Sequence, residues 1–327
     1  MNLSARQKLF AWLQLLRLPN VFTAVADVTM GYLVTHRNLE PPAHFALLAA
    51  ASCLLYLSGM VLNDVFDAEV DAHEQPSRPI PSGRISLRNA TAVGWAMLAG
   101  GIFVAWFASA LTSDVRPGVI ATILAACIVL YDRILKRTPI APLAMGACRM
   151  LNVFLGMSLV VQNPFIVPGL RLPGVVEPVL PARWWFDYEW MFALGLGIYV
   201  VGVTIFARTD ARTSSRRMLI AGLIVLLTGI ATLAITPVAT GFHRLVVIPN
   251  GWFLLWALLA IITGRRCLLA VMQPTSQNVQ AAVRHCVLSI IVVDAAVCVG
   301  YAGPLWGFTV LALIFPAVGF AAWIRAT

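Results

Sequence analysis

Asp64, Asp67, Glu69, Asp71 and Glu74 crowd into one short stretch of a chain that has only 14 acidic residues in all. The stretch reads Asn63-Asp64-Val65-Phe66-Asp67-Ala68-Glu69-Val70-Asp71. If a helix runs through it, the spacing of Asp64, Asp67 and Asp71 stacks three carboxylates on one face. Like charges stacked this way repel. The arrangement gains only when a cation sits among them. Carboxylate oxygen suits Mg²⁺ or Mn²⁺, and Mg²⁺ usually joins one or two carboxylates to substrate phosphates. Directly downstream comes Arg78-Pro79-Ile80-Pro81-Ser82-Gly83-Arg84. Basic side chains beside a carboxylate-held metal are the parts needed to bind a diphosphate. The competing reading is a solvated acidic loop followed by a basic turn.

The elements that carry this cluster are apolar. Of 327 residues, 60% are hydrophobic and 11% charged, and mean hydropathy is +0.85. Soluble domains run nearer half apolar and a quarter charged, so the composition points to a polytopic membrane protein. Ten apolar segments are legible, at about 18–36, 43–63, 90–111, 117–132, 141–162, 190–207, 218–236, 249–272, 281–302 and 304–324. Only Gly300 to Pro304 separate the last two, so the expectation is an all-α integral membrane bundle of nine or ten helices. One domain over residues 1–327 accommodates it.

The net charge of +9 would suggest nucleic acid in a soluble protein. Here the basic residues stand singly or in small groups between apolar stretches, and no nucleic-acid partner is expected. Their distribution orients the bundle. Arg6, Lys8, Arg17, Arg78, Arg84, Arg88, Arg133, Lys136, Arg137, Arg208, Arg212, Arg216, Arg217, Arg265, Arg266, Arg284 and Arg325 fall on one side. Arg37, Arg116, Arg171, Arg183 and Arg244 fall on the other. The richer side is expected to be cytoplasmic, and the acidic cluster lies there. The six cysteines all lie within apolar stretches and show neither disulfide nor zinc spacing.

Asn63-Asp64-x-x-Asp67-x-x-x-Asp71 followed by Arg78-Pro-x-Pro-Ser-Gly resembles the first motif of the UbiA family of intramembrane prenyltransferases. Arg17-Leu18-Pro19-Asn20 is similar to the start of that family's first helix. Tyr131-Asp132-Arg133-Ile134-Leu135-Lys136-Arg137 resembles its Tyr…Lys-Arg stretch, and Arg149-Met150-Leu151-Asn152 with Gly156 resembles its fifth helix. Within the family the chain most resembles the branch called EboC. The resemblance implies a UbiA-like helical bundle in a bacterial inner membrane, with its site open to the cytoplasm and to lipid. It implies a prenyl diphosphate bound through Mg²⁺, loss of diphosphate to give an allylic cation, and attack by an acceptor that the sequence does not identify. On this chain it implies metal at Asp64, Asp67, Asp71 and Asp210. Diphosphate contacts would come from Asn63, Arg78, Tyr131, Lys136, Arg149, Asn152 and Arg208. Asp64, Asp67, Asp71, Lys136 and Asp210 would carry catalysis.

The chain departs from the family at the second acidic motif, where Arg208-Thr209-Asp210-Ala211-Arg212 leaves one carboxylate. That departure keeps a second reading open, a noncatalytic transporter or carrier of a biosynthetic precursor. Three ionisable groups lie within spans: Asp27, Arg149 and Asp294. Such groups are costly and face a cavity or one another. Their depths along the helices place Asp27 and Arg149 at one level, which predicts an ion pair.

Overall fold

A computed structural model of the chain describes residues 4–159, 185–208, 216–241, 246–248 and 250–326. Every regular element among these residues is helical. In chain order they are α1 (Ala5–Leu15), α2 (Val21–His36), α3 (Pro42–Phe66), α4 (Ala68–Glu74), α5 (Leu87–Thr112), α6 (Arg116–Arg133) and α7 (Ala141–Gly156). There follow α8 (Asp187–Ala207), α9 (Arg216–Ala239), α10 (Trp252–Met272), α11 (Ser276–Tyr301), α12 (Pro304–Leu311) and α13 (Ile314–Ala326). The chain is an integral, multi-pass membrane protein.

Each of the ten apolar segments holds helix, α12 and α13 sharing the last. Seven spans among the described residues are long and apolar enough to cross a bilayer alone, or eight if the bent pair α1–α2 counts as one. The other two segments fall short for physical reasons. α6 carries Arg116, Asp132 and Arg133 at its ends, and α7 has only 16 residues. Their charges and brevity belong to the site described below.

The sequence marks its own helix starts. Ser4, Ser86 and Thr275 accept backbone N–H bonds as N-caps of α1, α5 and α11. Pro42, Pro117, Pro142 and Pro304 occupy first-turn positions, where a missing N–H costs nothing.

Lipid offers no hydrophobic drive between helices, so close backbone approach must hold them together. α2 and α7 cross through Gly31 and Gly156. A Cβ on Gly156 would strike the Val28 carbonyl oxygen, and one on Gly31 the Val153 carbonyl oxygen. Backbone on both sides leaves no flexible side chain to yield. Gly156→Ala should therefore push the two helices apart and lower stability by about 1–3 kcal/mol, the usual cost of overpacking. Thermal unfolding in detergent measures it, and an unchanged midpoint would refute the contact.

A small second core builds the end of the bundle that carries the acidic cluster. Ala11 and Leu15 of α1, Val61 of α3, Ile80 and Ile85 of the following loop, and Ala90 of α5 bury one another. This core fixes α1 and the 75–86 loop over the end of α3.

Candidate active site

α3 does not run unbroken through the aspartates. It stops at Phe66, and α4 begins at Ala68, with Asp67 between them at φ −96° and ψ 2°. The backbone bonds continue across the break, from Asp67 N–H to the Asn63 carbonyl (3.1 Å) and from Asp71 N–H to the Asp67 carbonyl (2.8 Å). The three carboxylates divide between two sets of cationic partners. Asp64 and Asp71 are buried and turn to Arg78, while Asp67 turns towards α6.

Arg78 Nη1 lies 2.6 Å from Asp71 Oδ2 and 3.5 Å from Asp64 Oδ1. Arg17 Nη2 donates to the same Asp64 Oδ1 at 2.9 Å. From the turn after α6, Lys136 Nζ is 2.7 Å from Asp67 Oδ2 and donates to Asn63 Oδ1 at 3.2 Å. Arg137 approaches Asp67 Oδ1 at 3.5 Å. Three carboxylates and four cations thus interlock at one mouth, drawn from α3, α4, the α1–α2 corner, the 75–86 loop and the turn after α6.

Local structure explains each arm. Arg17 has a left-handed backbone (φ 44°), unusual for a non-glycine residue. This bend between α1 and α2 carries the guanidinium to Asp64. Lys136 sits in a single 3-10 turn, Leu135–Arg137, that ends α6. Arg208 Nη1 donates to the Thr138 carbonyl at 2.7 Å, so it braces that turn from α8. Asp210 lies outside the described residues. Among the described residues, no three acidic, histidine or cysteine side chains gather closely enough to hold a metal by themselves. Asp64 and Asp71 nevertheless already flank one cationic nitrogen. That pair fits Mg²⁺, which takes one or two carboxylates together with phosphate oxygens.

Below the mouth is a cavity of about 420 Å³ lined by residues of α2-side and α3, α6, α7, α8 and α11 origin. Arg17 and Asn63 belong to both the ion-pair network and the cavity wall; Tyr131, Asp132, Arg149 and Asn152 also line it. Leu124, Ile128, Met145, Val200, Val203 and Val287 give the wall its apolar surface.

Arg149 and Asn152 are tied into a buried network. Arg149 donates to Asp27 Oδ2 (2.8 Å) and to Thr23 Oγ1 (2.8 Å), and lies over the Tyr56 ring at 5.5 Å. Asn152 donates to Asp27 Oδ2 (3.1 Å) and the Ala24 carbonyl (3.0 Å), and accepts from Ser52 Oγ (2.7 Å). The expected Asp27–Arg149 pair is therefore present and ties α2 to α7. Asp294 is fully buried in α11 and faces another carboxyl group, that of Asp27.

The structure thus gathers Asn63, Asp64, Asp67, Asp71, Arg78 and Lys136 at the mouth and Tyr131, Arg149 and Asn152 on the cavity. Arg208 acts on the turn beside them. The acidic and basic motifs alone do not single out Arg17, Arg137 or Asp132. Arg17 had one legible signal, its place just before Leu18-Pro19, where a chain must turn. Asp132 had another, as a carboxylate four residues before a lysine at the end of an apolar segment.

The model of the UbiA prenyltransferase family matches residues 24–277. A digeranylgeranylglyceryl phosphate synthase of Methanoculleus marisnigri is 37% identical over 130 residues, which is 40% of this chain and 44% of that one. The corresponding protein of Methanopyrus kandleri is 35% identical over 154 residues, 47% of this chain and 54% of its own. The chain thus spans about half the length of the curated relatives it matches. Among solved structures, one of a digeranylgeranylglyceryl phosphate synthase has a TM-score of 0.61 at 20% identity, covering 90% of this chain and 99% of that one. A UbiA homolog from Archaeoglobus fulgidus bound to GPP and Mg²⁺ has a TM-score of 0.60 at 14% identity, covering 92% and 99%. At these identities the likeness establishes the fold.

Proposed function

The chain belongs to the UbiA prenyltransferase family, and from that premise we propose that it moves a prenyl group from a prenyl diphosphate to a small-molecule acceptor with the help of Mg²⁺. The observation that carries this reading is the mouth itself. Asp64, Asp67 and Asp71 meet Arg17, Arg78, Lys136 and Arg137 directly above an apolar cavity. A diphosphate needs the first and a prenyl chain needs the second. The name of the relatives and the ligands of the Archaeoglobus structure support the same substrate class.

Asp64 and Asp71 would hold Mg²⁺, and Asp210 is offered as a further ligand from the sequence. When bound, Mg²⁺ neutralises charge on the departing diphosphate. The protein's own cations then do the rest of the binding. Arg78 and Arg17 exchange carboxylate oxygens for phosphate oxygens, and Arg78's fork suits two oxygens at once. Lys136 adds a point charge from the opposite side. The apolar walls exclude water from the carbon that loses its leaving group. The excess of basic residues on the side of this mouth supports a cytoplasmic orientation, and the EboC resemblance supports a bacterial inner membrane.

The test uses purified protein and labelled geranylgeranyl diphosphate. Mg²⁺-dependent release of diphosphate is the expected result. A second reading, a carrier that binds but does not react, draws on Asp294, buried within a span, a kind of group usual in transport pathways. Tight binding of the diphosphate with no release would favour it.

A further inference from the structure

Most polar groups around the cavity have partners within the protein. Arg149 and Asn152 both donate to Asp27 Oδ2, and Ser52 donates to Asn152. Arg17 and Asn63 are taken by Asp64 and Lys136. Asp132 is the exception. It is the one acidic residue on the cavity wall among the described residues, only 4% exposed, and its buried Oδ2 has no hydrogen-bond partner. Lys136, one turn further on, is the natural partner for it. That ammonium instead reaches across to Asp67 and Asn63. A buried carboxylate left without a donor is costly, and it persists where a ligand supplies the donor.

We propose that Asp132 binds the hydroxyl of the acceptor and takes its proton, so that the acceptor is an alcohol and the product an ether. The proposal rests on the prenyl-transfer reading above. Asp132 and Tyr131 end α6 just beneath the diphosphate clamp, where the carbon bonded to the diphosphate must lie. An acceptor O–H donating to Asp132 is held beside that carbon. As the carbon–oxygen bond to diphosphate breaks, its electron pair leaves with the diphosphate. A lone pair of the acceptor oxygen forms the new carbon–oxygen bond, and the acceptor proton passes to Asp132. That proton then returns to solvent through the open mouth. No oxidant, reductant or further reactant is needed. A positioned base of this kind contributes about 10²–10⁴-fold to rate.

The experiment compares the full-length wild type with Asp132→Asn and Asp132→Ala in detergent, with melting curves recorded for each. The probes are geranylgeranyl diphosphate with Mn²⁺, and a glyceryl phosphate monoether bearing one free alcohol. In calorimetry, both variants should bind diphosphate and Mn²⁺ within about twofold of wild type, since a base acts on the acceptor and leaves the clamp alone. In the transfer assay, kcat for ether formation should fall about 10²-fold or more, with KM for the diphosphate unchanged. Diphosphate release in the absence of the alcohol should stay at the wild-type rate. A tenfold loss of Mn²⁺ affinity would make Asp132 a metal ligand and overturn the proposal. So would ether formation by Asp132→Asn at the wild-type rate, or a wild type that releases diphosphate yet never alkylates the alcohol. A wild type that releases no diphosphate at all would instead bring down the prenyl-transfer reading.

Discussion

Asp71→Asn should abolish the Mg²⁺ dependence of prenyl diphosphate binding while leaving the helical bundle intact. Asp71 is buried, and its Oδ2 lies 2.6 Å from Arg78 Nη1. Asp64 stands on the other side of that nitrogen at 3.5 Å. With Mg²⁺ present, losing one of two carboxylates should weaken diphosphate binding by about 10²-fold, equivalent to some 2.7 kcal/mol. Without Mg²⁺ the sign reverses. A carboxylate beside a diphosphate repels it, and Asn does not. Asp71 also competes with phosphate for Arg78, and the amide competes less. In EDTA the variant should therefore bind at least as well as wild type. Titration calorimetry with and without Mg²⁺ reads both arms. Equal Mg²⁺ dependence in variant and wild type would remove Asp71 from the metal site. Weaker binding in both conditions would mean that Asp71 only positions Arg78.

The residues behind that expectation were legible because the acidic cluster interrupts an otherwise apolar pattern. Carboxylates are so rare in this chain that five together between two spans demand a reason. The spans were legible for the same reason, since lipid requires long apolar helices whatever their packing. The Asp27–Arg149 pair followed from depth alone, because two opposite charges at one level in a bundle have few other partners.

The break in helix at Asp67 was not legible. Spacing of three and four residues reads as helix, and nothing between Val65 and Ala68 is a helix breaker. Asp67 pairs with Lys136, a long-range contact that no local pattern encodes. Arg17 was hidden similarly. Its role depends on a left-handed turn and on the small core formed by Ala11, Leu15, Val61 and Ile85. Arg208, expected to contact phosphate, also donates to the Thr138 carbonyl, an acceptor that exists only once the turn after α6 has formed.

Lys136 provides the second large effect, because its 13%-exposed side chain spans the mouth from α6 to the end of α3. Its Nζ lies 2.7 Å from Asp67 Oδ2 and 3.2 Å from Asn63 Oδ1. Lys136→Met keeps the apolar stem and removes only the charge. Asp67 then retains Arg137, which is 3.5 Å away and 63% exposed, a weak replacement. Diphosphate affinity in Mg²⁺ should fall about 10–10²-fold, the range for removing a charged hydrogen-bond donor from a partly buried site. Two mechanisms would produce that loss. Lys136 either touches the phosphate or serves only to neutralise Asp67. Pairing Lys136→Met with Asp67→Asn separates them, since neighbouring residues reveal their coupling in a double-mutant cycle. If Lys136 merely screens Asp67, the double variant should recover binding close to that of Asp67→Asn alone, because no unpaired carboxylate remains to repel the ligand. If Lys136 contacts phosphate, the double variant should stay about tenfold or more weaker than Asp67→Asn. The geometry favours contact. Nζ faces the shared mouth, Arg208 braces the turn that carries it, and a second cation already stands beside Asp67. Full recovery in the double variant would reduce Lys136 to a structural counter-ion and leave Arg17 and Arg78 as the diphosphate clamp.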